Sequence, residues 1–378
     1  MKDKARVYLD NAATTRVRQE VWDSMRLALC EEYGNPSSVH TEGQRAKRLL
    51  EEARRSIASN LNCSAPEIYF TSGGTESDNC AIRGIAWANR KEKKHIITSS
   101  IEHPAVLKTC RVLEEEGFRI TYLPVDTTGR VSPMSLAKAL TPDTCLVSIM
   151  LGNNEIGTIE PIPELVRIAH EHGTFFHTDA VQAVGTIPVD VSSLQVDLLS
   201  LSAHKFHGPK GVGALFVRNG VKICSLLQGG AQENQHRAGT ENLPGILGMA
   251  KALQLSCEEM KMVSDRILAL REMLVRGISD ICPHVVFHGN SVDHLPGIVN
   301  CSFPGQDGEK LLLLLNYHGF ACSGGAACSS QNAAISHVLT AIGVPEKEAG
   351  SSLRISIGSE NTEEEIRSFL ACLRQLIN

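Results

Sequence analysis

Through the middle of the chain, short apolar runs alternate with longer stretches whose apolar positions recur at helical spacing. Glu67–Phe70, His95–Thr98, Arg119–Leu123, Cys145–Met150, Thr174–Thr178, Val196–Leu201 and Gly213–Val217 are predicted strands. Thr75–Asn89, Pro104–Glu116 and Ile162–His172 are predicted helices among them. Strands separated by helices of about 10–15 residues make βαβ crossovers, so the pattern predicts a largely parallel sheet with helices on both faces. That is an α/β core.

The pattern changes near residue 243. Gly245–Ile278 carries an apolar stripe at Met260, Val263, Ile267, Leu270 and Leu274, as expected of a long helix packed on a core. Beyond it come shorter predicted strands, His284–Phe287 and Ile298–Ser302, then predicted helices at Glu309–Tyr317 and Thr362–Ile377. This reads as a smaller α+β domain. No repeat or low-complexity linker separates the two, so close packing is expected.

Composition narrows the function. Lys and Arg total 37 against 42 Asp and Glu, and the net charge of -5 argues against a surface that wraps nucleic acid. The one basic run, Arg90–Lys94, reads as a solvated loop between a helix and a strand. The longest apolar run, Leu311–Leu315, falls far short of the roughly 18 residues of a membrane span. The charged Met1–Arg6 runs into Val7–Leu9 without an apolar signal core, so a cytoplasmic protein is expected. The 12 cysteines contain no Cys-x-x-Cys pair, and several, such as Cys145, sit among aliphatic neighbours where a reduced thiol acts as a small hydrophobe. The His pairs 170/172 and 204/207 lack further ligands. No metal site is expected.

Ligands of open α/β sheets bind at the carboxyl ends of strands, and three such ends carry suggestive residues. After Phe70 comes Thr71-Ser72-Gly73-Gly74-Thr75-Glu76-Ser77, where two glycines open a helix. This suits a phosphate cradle at a helix N-terminus, or an ordinary turn with a cap. Asp179 follows the apolar strand ending at Thr178. Such a carboxylate either caps the next turn or pairs with a cation, for which a pyridinium nitrogen would serve. Lys205 lies just past the strand ending Leu198–Leu201, where it could snorkel to solvent or, if desolvated, act as a nucleophile that forms a Schiff base. Together a phosphate cradle, a carboxylate and a lysine match the phosphate, ring nitrogen and aldehyde of pyridoxal 5'-phosphate.

Nearly end to end, the chain resembles the class V aminotransferase-like enzymes, and within them the cysteine desulfurases of the NifS/IscS-like group. The motifs that carry this include Tyr8–Thr15, Tyr33–Ser38, Thr71–Ser77, Glu102-His103, Asn153–Gly157, His177–Gln182, Ser202–Lys205, Gln232-Glu233, Arg237–Thr240 and Ser351–Ser356. The resemblance implies a fold type I pyridoxal-phosphate transferase, with a large domain over residues 15–258 and a small one from 1–14 and 259–378. It implies that Lys205 holds the cofactor and moves the α-proton, while Asp179 pairs with the ring nitrogen. Gln182 would bond the ring hydroxyl, and His103 would stack on the ring and share in proton transfer. Gly74, Thr75, Ser202 and His204 would hold the phosphate, joined by Thr240 from a second subunit. Asn154 and Arg354 would position the carboxylate of L-cysteine, a planar guanidinium being suited to bidentate pairing.

Cys328 lies in Cys322–Asn332, a stretch rich in glycine and small residues that is expected to be a mobile loop. The resemblance makes it the sulfur acceptor, forming a persulfide as alanine is released, and the long gap to Arg354 matches the long-loop branch of the family. Where Gly-Ser-Ala-Cys-Thr-Ser is commoner, this chain reads Gly325-Ala326-Ala327-Cys328-Ser329-Ser330. Cys322 could share in sulfur transfer or serve as a hinge or core thiol. The expected protein is a homodimer that passes sulfur to an acceptor such as an iron–sulfur scaffold, with no DNA or membrane partner. Two other readings stay open: a selenocysteine lyase or aminotransferase on the same cofactor, and a non-catalytic sulfur carrier.

Overall fold

A computed structural model describes residues 6–324 and 335–377. The chain starts with β1 (Val7–Tyr8) and two helices, α1 (Gln19–Cys30) and α2 (Thr41–Leu61). It then alternates β2 (Ile68–Thr71), α3 (Gly74–Asn89), β3 (His95–Ser99), α4 (Pro104–Glu115), β4 (Arg119–Leu123), α5 (Pro133–Ala139), β5 (Thr144–Ser148) and α6 (Ile162–Glu171). β6 (Phe175–Asp179), the short α7 (Val191–Leu194), β7 (Leu198–Ser202) and β8 (Gly213–Val217) complete the first sheet. The long α8 (Leu243–Ile281) leads to β9 (Val286–His288), β10 (Ile298–Ser302), α9 (Gly308–Tyr317), β11 (Phe320–Ala321) and β12 (Ser323–Gly324). After the undescribed stretch come α10 (His337–Ala341), α11 (Glu346–Ala349), β13 (Ser352–Ser356) and α12 (Glu363–Ile377).

The seven-stranded sheet runs β2-β8-β7-β6-β5-β3-β4, with β8 antiparallel to both neighbours and every other pairing parallel. β3, β5, β7 and β8 are buried at every position, as strands covered on both faces must be. An antiparallel sheet, β12-β13-β10-β9, forms the second layer system. Its core of Phe303, Leu315, Leu353, Ile355 and Phe369 takes in the second half of α8 through Ile267, Leu270, Leu274 and Ile278. The first half of α8 packs instead on the core of the large sheet. One continuous helix therefore runs from one core to the other.

α1 and α2 were not anticipated from the pattern. The buried stripe of α2 is narrow and partly alanine, with Ala46, Leu50, Ala53, Ile57 and Leu61 facing inward on an otherwise polar helix. β13 reads Ser-Leu-Arg-Ile-Ser, and its buried Ser and Arg hide the strand from a hydrophobicity pattern.

A buried ion pair fixes the segment that carries Arg237 and Thr240. The Arg54 guanidinium on α2 grips both oxygens of Glu233 at 2.7 and 2.8 Å, and Glu233 also accepts the Phe70 N–H at 2.8 Å. Glu233, Asn234 and Gln235 all take left-handed φ values of 46°, 54° and 69°, a costly run for non-glycine residues that these bonds offset. Arg237 then reaches Glu76 in the first turn of α3 at 2.9 Å.

Candidate active site

The C-terminal ends of β2, β6 and β7 open on a cavity of about 680 Å³. Gly74, Thr75, His103, Asn154, Asp179, Gln182, Ser202, His204, Lys205 and Arg354 all line it. Ten predicted site residues, scattered over some 280 positions of sequence, thus meet in one space. Thr240 does not line this cavity and is exposed. Cys328 lies outside the described residues.

The cradle is built by close approach. Gly73 has φ 148°, a value that favours glycine, and a Cβ at neighbouring Gly213 would stand 2.7 Å from the Gly73 Cα. A Cβ on Gly74 would meet Val181 at 2.7 Å, so the first turn of α3 stays open only because no side chain fills it. The free N–H groups of that turn and its dipole favour an anion. Burial pushes the His204 imidazole down to about 4, with Lys205 and Lys210 adding to the effect. His204 is therefore neutral near pH 7.

A buried carboxylate stands at the end of β6. Asp179 ends β6, is 6 % exposed, and accepts the Val181 N–H at 2.9 Å. Burial raises its carboxyl, opposed by His103, the Val181 N–H and Lys205. His103 caps α4 through Nδ1, which accepts the Ala105 N–H at 3.1 Å. Burial holds its imidazole below the usual value; Lys205 and His337 push the same way, while Asp179 opposes.

The floor is the N-terminal segment that follows β1. Lys205 Nζ donates to the carbonyls of Ala12 and Ala13 at 2.6 and 2.9 Å, and Gln182 Nε2 donates to the Ala12 carbonyl at 2.8 Å. A half-buried lysine aimed into a cavity by two backbone acceptors is placed, not snorkelling.

Arg354, 1 % exposed, crosses from β13. It donates to the Asn154 carbonyl at 3.0 Å and to Asp10 at 2.9 Å, while its Nε is buried without a hydrogen-bond partner. The bidentate carboxylate pairing expected of Arg354 must share the guanidinium with Asp10, a residue inside a recognised motif but not singled out. Glu155, Asp78 and His337 also line the cavity and were not foreseen. Burial raises the Glu155 carboxyl to about 7 against the pull of its Ser336 hydrogen bond and Arg354. Glu155 sits in the Asn-Asn-Glu motif, and Asp78 falls on the same helix face as Gly74, one turn on. His337 gave no signal in the sequence.

Among the described residues no cysteine lines the cavity. Cys322 packs against the second core, and burial pushes its thiol up to about 12, with Asp10 adding to the rise. That makes it an inert core thiol. No group of three or more metal-binding side chains occurs among the described residues, and no helix there is long and apolar enough to cross a membrane.

The family model for class-V aminotransferases matches residues 7–369. The chain belongs to this family. A cysteine desulfurase IscS of Methanosarcina thermophila is 52% identical over 371 residues, covering 98% of this chain and 92% of the relative. One from Dictyoglomus turgidum is 51% identical, covering 99% of this chain and 95% of the relative. Among solved structures, a NifS-like protein superposes with a TM-score of 0.93 at 42% identity, covering 98% and 99% of the two chains.

Proposed function

We propose that the chain is a pyridoxal-phosphate-dependent cysteine desulfurase that converts L-cysteine to L-alanine and takes the sulfur onto Cys328. The observation that carries this is the convergence of Lys205, Asp179 and the Gly74-Thr75 cradle on one cavity. The residues fit the cofactor. A glycine cradle at a helix N-terminus suits its phosphate, a buried carboxylate suits its ring nitrogen, and a lysine lining the same cavity suits its aldehyde. A sulfur carrier would need none of the three.

In this reading Gly74, Thr75, Ser202 and His204 hold the phosphate, Asp179 the ring nitrogen and Gln182 the ring hydroxyl. When bound, the cofactor supplies an electron sink for charge released at the substrate α-carbon. Arg354, with Asn154 beside it, orients the substrate carboxylate, and Asp10 fixes the guanidinium plane. Lys205 Nζ moves the α-proton. His103, neutral and capped on α4, is the second proton carrier.

Both ends of the stretch that contains Cys328 attach beside the cavity. Ser323 pairs with Arg354 across β12 and β13, and Ile335 lines the cavity wall. Four residues of chain beyond Gly324 span at most roughly 14 Å. The Cys328 thiolate forms an S–S bond as the substrate C–S bond breaks, and the carbon takes up protons to become alanine. The persulfide then goes to an acceptor protein. Thr240, exposed and away from its own cavity, completes the cradle of a second subunit in a cytoplasmic homodimer.

Purified protein loaded with pyridoxal phosphate and given L-cysteine and a reductant should release alanine and sulfide in equal amounts. Mercaptopyruvate with neither alanine nor sulfide would favour transamination chemistry, and no turnover would favour a carrier.

The pH profile has a definite sign. A depressed imidazole keeps His103 unprotonated at neutral pH and below its ordinary value of about 6.5. The acid limb of kcat/KM should therefore lie below pH ~6.5 and move in His103→Gln. An acid limb above that value which moves in the variant would contradict the assigned role.

A further inference from the structure

Beneath the cavity lies a buried polar chain that the reaction above does not use. Asp78 is 1 % exposed, lines the cavity one turn past the cradle, and its Oδ1 has no hydrogen-bond partner. Its carboxyl is hydrogen-bonded by Ser200 of β7. The Ser200 hydroxyl also lies 2.9 Å from His177 Nε2, and His177 Nδ1 lies 2.8 Å from the Ser148 hydroxyl. His177 and Asp179 are two apart on β6 and so share a face of the sheet.

The His177 ring also comes within 3.7 Å of Asp78 Oδ1, but this is not an ion pair. Burial drives the imidazole down to about 3, so it is neutral. Each member of the chain can then donate in turn: Ser148 to Nδ1, Nε2–H to Ser200, and Ser200 to Asp78. In that direction the second oxygen of Asp78 accepts, and any proton on the carboxyl sits on the unpartnered Oδ1. Burial, and next the Asp179 charge, push the Asp78 carboxyl well above its usual range, with Glu102 adding to the rise.

We propose that Asp78 is a positioning residue of the cofactor site, a neutral carboxylic acid that presents its Oδ1 proton on the Asp179 side of the cavity. Asp179 is thereby the single negative charge available to the ring nitrogen. Two ionised carboxylates in one dry site repel, and a partner held neutral by its surroundings removes that cost. Lys205, which follows β7, and Glu102 and His103 of the β3–α4 connection face the pair. Of these Lys205 and His103 favour charge on Asp179, and Glu102 disfavours charge on Asp78. The inference rests on the reading of the cavity as a pyridoxal phosphate site.

Infrared spectroscopy of the loaded enzyme tests it without relying on activity. Near pH 7 a protonated-carboxyl stretch should be present that shifts when aspartate is labelled with carbon-13. The label separates Asp78 from buried Glu102, Glu155 and Glu160, whose carboxyls are also raised. The same band should vanish in D78N. Titration of the apoenzyme with pyridoxal phosphate should show D78N binding within about threefold of wild type, because an amide is neutral and can donate, while D78L loses roughly tenfold. A wild type with no label-sensitive neutral-acid band would overturn the proposal even if a variant failed to fold. So would persistence of the band in D78N, or D78N binding as poorly as D78L. Failure of the wild type to take up pyridoxal phosphate would overturn the reading of the cavity instead, whatever the infrared result.

Discussion

Lys205→Ala is expected to lower turnover of L-cysteine by on the order of 10³-fold or more and to leave the cofactor-loaded protein without its yellow colour. In the proposed reading the lysine has two tasks, and alanine can do neither. Its Nζ is anchored at 2.6 and 2.9 Å to the Ala12 and Ala13 carbonyls, and Lys108 is the other lysine that lines the cavity. Lys205 lines the same cavity as the cradle and Asp179, where in the proposed reading it both fixes the cofactor and carries a proton. Loss of colour and of turnover together, with an unchanged far-ultraviolet dichroism spectrum, is the result this geometry requires. A yellow variant with near-normal turnover would mean that another amine does this work. A colourless variant with normal turnover would remove the cofactor from the reaction.

Much of the sheet was readable because its strands are apolar runs bounded by helices with clear stripes. Arg119–Leu123, Gly213–Val217 and Ile298–Ser302 match to the residue. The edges drifted where burial, not residue type, decides the strand: β5 starts at Thr144, and β6 ends on the buried charge of Asp179. α1 and α2 escaped because their buried stripes are narrow. The candidate site was legible where a motif sits at a strand end, as for Gly74, Asp179 and Lys205. It was not legible where function depends on a distant neighbour. Nothing local in the sequence shows that Asp10 meets Arg354 across 344 positions, or that Ser336 bonds Glu155 across 181. Asp78 reads as one more polar residue on α3 until the fold buries it against β6 and β7.

Cys328→Ala is the second large effect, and it separates the sulfur step from the cofactor. Every cysteine among the described residues lies off the cavity wall, and Cys322, the nearest in sequence, is a partly buried thiol raised to about 12. No described thiol can therefore stand in for the lost one. The cradle, Asp179 and Lys205 are untouched by the substitution, so the variant should stay yellow and still change its spectrum when L-cysteine binds. Its release of alanine and sulfide should fall by at least roughly 10²-fold, the scale of losing an activated nucleophile.

The most direct measurement is alanine and sulfide release from L-cysteine, with reductant present, by wild type and Cys328→Ala loaded with equal amounts of cofactor. The expected result is equal alanine and sulfide from the wild type and neither from a variant that remains yellow. A yellow variant that turns over L-cysteine as fast as wild type would contradict the persulfide step on Cys328.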